Sequence, residues 1–288
     1  MSQRPKTVGL LHVGEMGAAV ASVLRSRGIR VVTTLRWRGN ETARRAVQVG
    51  VVTLGALQDV VRESDVVISL VLPDAAAEVA NSYCFHAKQA PAGAVYVDAN
   101  SIGPSTVRAI ADRFAATPVS FVDGAINGLA MNLTTTGTIF LSGDRASAVA
   151  DLFGTACRMR VLGSEVGQAS AMKMLLGGVS KGVCALFAEL ATLADRQGML
   201  KPMLEATGEI YPGIAALVDR MLPTYAQHAD RRVTEMLELE QTARAEGIDP
   251  TVIEAIRDAH EALAAEQLQP CDDVAALVRQ LNKAEVAS

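Results

Sequence analysis

The chain has 288 residues, enough for two domains that each bury a core. Half of it is apolar, a fifth is charged and the formal net charge is -4, an ordinary globular composition that argues against a nucleic-acid or anionic-membrane partner. Cys84, Cys157, Cys184 and Cys271 lie far apart without a CxxC, and His12, His86, His228 and His260 lack ligand spacing, so neither a disulfide frame nor a metal site is expected. No apolar run reaches the roughly 18 residues of a membrane span. Arg4 and Lys6 precede an apolar run broken by His12, Gly14 and Glu15, unlike a signal peptide. A cytoplasmic protein with reduced thiols is expected.

In chain order, short apolar runs predict strands at Thr7–His12, Arg30–Leu35, Val51–Thr53, Val66–Leu70, Ala94–Val97, Val119–Val122, Thr138–Leu141 and Arg160–Leu162. Helical patterns separate most of them, which predicts parallel pairing through right-handed crossovers. The runs near Val119 and Thr138 lack a long helix between them, so an antiparallel edge is expected there. From Ser164 onward no strand pattern is evident. The stretch GQASAMKMLLGGVSKGVCALFAELATLADRQG is one helical pattern, too apolar for a surface helix, and Gly198 stops it. Further helices are expected at Met203–Thr207, Gly213–Met221, Ala229–Glu246, Pro250–Leu268 and Asp272–Leu281, punctuated by Pro223 and Pro270. The fold class is therefore α/β: a Rossmann-like N-terminal domain with a mostly parallel sheet at 1–163, then an all-α domain at 164–288.

The first predicted turn reads His12-Val13-Gly14-Glu15-Met16-Gly17. A dinucleotide turn has the form GxGxxG, and here a histidine replaces the first glycine. Gly14 would let backbone approach a pyrophosphate, Gly17 would let the helix pack against the strand, and the helix's first N–H groups would face the phosphates. His12 must turn the chain with a Cβ; shaping the turn is its first role and a phosphate contact the second. The alternative is a plain strand–helix corner.

The predicted second strand ends at Leu35 without the acid that binds ribose hydroxyls in NAD sites. Arg36 and Arg38 flank Trp37 instead. Their position, about twenty residues after the glycine turn, suits a 2′-phosphate and so NADP. An arginine or the indole could also cover adenine. The alternative is a solvated basic loop.

Asn100 and Ser101 fall where a parallel strand ends, the usual ligand edge of such sheets, although Ser101 also suits a helix start before Gly103 and Pro104. Asn127 and Gly128 offer an amide and accessible backbone N–H groups, or an ordinary turn. Lys173 stands among Met172, Met174, Leu175 and Leu176. Burial would lower its pKa and suit it to proton transfer; the alternative is a lysine snorkelling at a domain edge. Lys181 lies about 80° further round the same helix, with Gly177 between, which predicts an open anion-binding wall. Arg231 or Arg232 could join it, or line a solvated helix face.

Taken in order, these motifs resemble the β-hydroxyacid dehydrogenases, relatives of 6-phosphogluconate dehydrogenase, over roughly the first two hundred residues. The resemblance aligns the glycine motif with VGLLHVGEMG, the phosphate-binding arginine with Arg36 and the strand-four loop with DVVISLVLPD. It aligns the DxST stretch with DANS, the SGG stretch with Asn127–Leu129 and the GxxxxxK helix with Gly167–Lys173. It implies cofactor contacts at Gly14, Glu15, Met16, Arg36, Arg38, Val71, Leu72 and Asn100. Substrate contacts are implied at Ser101, Asn127, Gly128, Leu129, Gly177, Lys181 and Arg231, and Lys173 would be the proton donor or acceptor. Gly177 replaces an asparagine frequent in the family, SGG becomes NGL and DxST becomes DxNS, so a standard small 3-hydroxy acid is not expected in the standard pose. The C-terminal part looks closer to a subgroup with a divergent helical domain.

The implied activity is NADP(H)-dependent hydride transfer between nicotinamide and a carbonyl or hydroxyl carbon of a small acidic substrate, NADPH being preferred over NADH. The resemblance also implies a homodimer through the long helix beginning near Val166. An imine reductase on the same fold and a non-catalytic NADP-binding sensor are the alternatives; Lys173, where imine reductases usually carry aspartate or tyrosine, favours carbonyl chemistry.

Overall fold

The computed structural model describes residues 7–36, 38–266 and 268–287; Trp37 lies outside the described residues. The first half runs β1 (Thr7–Leu11), α1 (Glu15–Ser26), β2 (Arg30–Thr34), α2 (Asn40–Gln48), β3 (Val52–Leu54), α3 (Leu57–Glu63), β4 (Val66–Ser69), α4 (Ala76–His86), β5 (Val95–Asp98) and α5 (Pro104–Ala111). It continues through β6 (Ser120–Asn127), β7 (Thr138–Ser142), α6 (Ala146–Phe153) and β8 (Arg158–Gly163). The strands form one sheet in the order β3-β2-β1-β4-β5-β6-β7-β8. All neighbours are parallel except β6 and β7. Their connection holds only a short 3-10 turn at Ala130–Asn132, too little chain for a parallel crossover.

Side chains alternate between two apolar layers because successive residues of a strand face opposite ways. Val8, Leu10, Val66, Ile68, Val95 and Val97 pack on one face with Leu24 of α1 and Leu152 of α6. Leu11, Val67 and Tyr96 pack on the other with Val60 of α3 and Tyr83 of α4. Covered on both faces, these central strands read as continuous apolar runs, as parallel sheets do. The chain winds outward from β1 to β3, then returns to place β4 on the other side of β1. The ends of β1 and β4 therefore diverge at a topological switch point, where such sheets take ligands.

Most strand ends shift by one or two residues from the sequence expectation, and the ends of β1 and β6 have local reasons. β1 stops at Leu11 because His12 takes φ 92°. β6 runs on to Asn127, which pairs with Thr138, so Asn127 closes a strand instead of opening a turn.

The second half is helical: α7 (Gln168–Arg196), α8 (Leu200–Ile210), α9 (Pro212–Met221), α10 (Tyr225–Ala245), α11 (Thr251–Ala265) and α12 (Val274–Ala287). α7 begins after Gly167, whose φ of 100° breaks the helical path. The chain divides into two compact units, Met1–Lys173 and Met174–Ser288. In the second, Cys184, Phe187, Ala188 and Ala191 of α7 form a core with Val218, Leu222, Tyr225, Leu277 and Val278. α7 is the one described helix long and apolar enough to cross a membrane by length and composition. That apolar content serves the helical core on one face. On the other, Leu175, Val179, Leu186, Leu190 and Leu193 are exposed.

Candidate functional site

The turn after β1 is built by close approach. α1 starts at Glu15 with Gly14 as its N-cap. A Cβ on Gly17 would meet the His12 carbonyl oxygen at 2.4 Å, so only glycine lets α1 sit this near β1. A Cβ on Gly14 would meet His12 Nε2 at 2.9 Å. Glu15 and Met16 form the first turn of α1. Beside this turn lies a cleft of about 460 Å³, lined among others by His12, Thr34, Arg36, Arg38, Ser82 and His86. No carboxylate is among its described lining residues. Arg36 and Arg38 thus share this cleft with His12, whose ring abuts Gly14. Thr34, Ser82 and His86 were not predicted, since nothing local marks a serine or histidine on α4 as facing the end of β2.

A second group of predicted residues sits on the same C-terminal sheet edge. Asn100 follows β5 and is buried. Its Oδ1 accepts from the Val71 N–H at 2.7 Å. Its Nδ2 donates to Asp98 Oδ1 at 2.8 Å and to Ser69 Oγ at 3.1 Å. The amide is therefore committed to tying the loop after β4 to the end of β5, and it acts by placing Val71 and the exposed Leu72. Asp98 is 1% exposed and its Oδ2 has no hydrogen-bond partner. Burial pushes its carboxyl up to about 6; the Asn100 bonds oppose this, and Asp123, its register partner on β6, adds to it.

Asp123 is buried as well, but satisfied. Its Oδ2 accepts from the N–H groups of Gly167 and Ser170, each at 3.0 Å, and its Oδ1 accepts from Ser170 Oγ at 2.7 Å. A strand-borne carboxylate thus holds the start of α7. That anchoring brings Lys173 to Ser101: its Nζ donates to Ser101 Oγ at 2.7 Å. Lys173 is half-buried, not enclosed. Asn127 ends the neighbouring strand β6, Gly128 follows it, and Leu129 is exposed next in the chain. A Cβ on Gly128, whose φ is 130°, would lie 3.0 Å from Gly137 Cα. The sequence motifs do not single out Asp98 or Asp123 as functional; their register pairing at adjacent strands β5 and β6 is what marks them.

In the helical unit Gly177, Lys181 and Arg231 do gather, though not as an open wall. Lys181 is buried, its Nζ 2.5 Å from Glu235 Oε2 and 3.3 Å from the Gly177 carbonyl oxygen. A Cβ on Gly177 would lie 3.0 Å from that Nζ, so the ammonium fills the space that a side chain at 177 would need. Arg231 Nε lies 3.6 Å from Glu235. Arg232 is buried instead, donating to the Met221 carbonyl and stacked 4.4 Å over the Tyr225 ring. Among the described residues no His, Cys, Asp or Glu cluster could hold a metal ion.

A doubly wound sheet, a glycine-lined turn at its switch point and a cation-lined cleft beside it define a dinucleotide-binding fold. Residues 7–183 match the NAD binding domain of 6-phosphogluconate dehydrogenase. The chain belongs to that family, and so to the NAD(P)-binding oxidoreductases. Residues 194–263 match a domain of unknown function, DUF1932. The structure is similar to that of a conserved protein of unknown function, MTH1747, itself described as similar to 3-hydroxyacid dehydrogenases: TM-score 0.74 and 35% identity over 92% of this chain and 99% of that one. It shares its fold with a 3-hydroxyisobutyrate dehydrogenase of Mycobacterium tuberculosis, TM-score 0.76 at 18% identity over 96% and 99% of the two chains. An uncharacterized 28.5 kDa protein of Methanothermus fervidus is 27% identical over 87% of this chain and 96% of its own length.

Proposed function

We propose that the protein is an NADP(H)-dependent oxidoreductase acting on a carbonyl or hydroxyl carbon of a small carboxylate-bearing substrate. The observation that carries this reading is the Lys173–Ser101 pair, 2.7 Å apart, on the sheet edge that also bears the glycine turn. The residues fit a dinucleotide: Gly14 and Gly17 clear the approach, α1 presents its first N–H groups, and Arg36 and Arg38 favour a 2′-phosphate. The nicotinamide, when bound, supplies or accepts the hydride.

The chain's own groups do the rest. In the reducing direction the Lys173 ammonium donates a proton to the substrate oxygen as that oxygen gains negative charge; in the oxidising direction the neutral amine takes the hydroxyl proton back. Ser101 Oγ accepts from Nζ and so aims the donor. Asn127, the Gly128 N–H and Leu129 orient the substrate, and Asn100 places Val71 and Leu72 against the cofactor. In the helical unit Gly177, Lys181 and Arg231 stand together around Glu235, which sets their charge balance. The cell compartment consistent with this chemistry and with free thiols is the cytoplasm, and a homodimer through α7 is part of the same proposal.

The test is a screen of aldehydes, ketones, hydroxy acids and imines with NADPH or NADP, followed by Lys173→Met. Turnover is expected to fall about 10²–10⁴-fold while NADPH affinity and folding persist. Near-normal turnover in that variant refutes the assigned proton donor, imine-only turnover refutes the carbonyl assignment, and tight NADPH binding with no turnover on any compound favours a sensor.

A further inference from the structure

The turn between β1 and α1 carries a side chain where a glycine would be unstrained. Among the described residues His12 is the only non-glycine with positive φ, at 92°, a backbone region that side chains with a Cβ rarely occupy. Its ring folds back over the helix start, with Nε2 lying 2.9 Å from where a Gly14 Cβ would be. Its Nδ1 is buried and has no hydrogen-bond partner. A neutral imidazole has one donor and one acceptor nitrogen, and leaving a buried one unmatched is unfavourable.

The surroundings are cationic. Arg36 and Arg38 line the cleft from the loop after β2, and His86 lines it from α4. Burial first, then Arg38 and then Arg45 of α2, hold the imidazole below its ordinary pKa. The nearby carboxylates are already engaged: Arg45 lies 3.6 Å from Glu15 and 2.5 Å from Glu41. A neutral ring among cations changes its balance when a polyanion arrives, because negative charge within a few ångströms favours the protonated form.

We propose that His12 is a direct ligand of the dinucleotide's diphosphate and takes up a proton as the dinucleotide binds. The proposal rests on the dinucleotide-binding reading above. The proton comes from solvent and forms one N–H bond on the imidazole; no other bond changes. Binding is then tighter where the ring protonates easily and weakens as pH rises through the ring's pKa in the complex.

The test uses the full chain and NADH, whose diphosphate does not titrate near neutrality, so that the 2′-phosphate of NADPH (second pKa about 6) adds no protons of its own. Titration calorimetry at about pH 7, in two buffers of different ionisation enthalpy, counts the protons exchanged. Net uptake is expected for the unaltered protein. His12→Asn and His12→Gly both tolerate positive φ and cannot titrate; each is expected to bind with no uptake. Affinity of the unaltered protein is expected to rise up to about tenfold from about pH 8 to about pH 6, one pKa unit of coupling being a factor of ten, and to stay flat in both variants. Binding without uptake overturns the proposal and leaves the cofactor reading standing. Uptake retained in His12→Asn but lost in His86→Asn also overturns it. Failure of the folded, unaltered protein to bind either NADH or NADPH removes the cofactor reading and the proposal together.

Discussion

Arg36 and Asp98 show how position decides the effect of a charge. Arg36 is exposed at the mouth of the cleft, so water screens its bond to a 2′-phosphate. A charge-assisted bond is worth about 1.5–3 kcal/mol, and exposure places this one at the low end. Arg36→Ala is expected to weaken NADPH binding roughly tenfold with little change for NADH, measured by fluorescence titration; equal losses for both cofactors would show that it does not read the 2′-phosphate. Asp98 is buried, and its carboxyl is pushed up to about 6 from 3.8. Between those values the native state holds the proton more tightly than the unfolded chain, so stability falls as pH rises through that window and the penalty is complete above it. Asp98→Asn keeps an oxygen for the Asn100 bonds and carries no charge. It is expected to raise stability at about pH 8 by about 1–3 kcal/mol and to flatten the profile below about pH 6, measured by urea unfolding. A destabilised variant at the higher pH would show that the carboxylate is needed ionised.

Packing among the helices adds a second titration, opposite in sign. His260 of α11 is fully buried and its Nδ1 meets the Tyr225 hydroxyl of α10. Burial, then the nearby Arg232 guanidinium, pushes the imidazole down to about 4, although the Lys181 backbone draws it up. A base whose folded pKa is depressed lends stability above its unfolded pKa of 6.5 and loses it as pH falls toward about 4. The full effect is on the order of 3 kcal/mol. Hydrogen exchange of the intact chain, corrected for intrinsic rates, is expected to show α10 and α11 losing protection across that window. His260→Asn is expected to remove the acid-dependent part; unchanged protection down to about pH 4 would mean the histidine charges without cost. α7 responds to a different anchor, the satisfied Asp123 carboxylate, which does not depend on this pair.

For the molecule as a whole, the exposed side of α7 is the feature a single chain leaves unused. Val179, Leu186, Leu190 and Leu193 repeat at helical spacing and are 43% exposed or more. Continuous apolar stripes of this kind are unfavourable in water and mark interaction surfaces. A second copy of the chain is the proposed occupant, through a self-complementary two-fold contact. Light scattering of the purified protein is expected to give twice the chain mass. Leu190→Lys, on the face turned away from the Cys184–Ala191 core, is expected to shift the mass toward monomer without unfolding. A monomeric unaltered protein at micromolar concentration would refute the dimer.

Much of this was legible along the chain because it is local. Turn chemistry marked Gly14 and Gly17, the period-two and helical patterns marked nearly every element, and the short link before Thr138 marked the antiparallel pair. Spacing alone put Arg36 after β2 and Lys173 early in α7. Other features needed the fold. Lys173 and Ser101 are 72 residues apart, and Asp123 lies 44 and 47 residues before the two amides it holds; such meetings depend on strand order, which no window of sequence encodes. The Lys181 ammonium looked open from its helix and is closed because α10 brings Glu235 to it. His12 looked like a turn former, and its orphaned Nδ1 emerges only when α1 packs down on the strand. Local sequence sets backbone conformation residue by residue, whereas burial and charge pairing belong to surfaces that the folded chain assembles from distant segments.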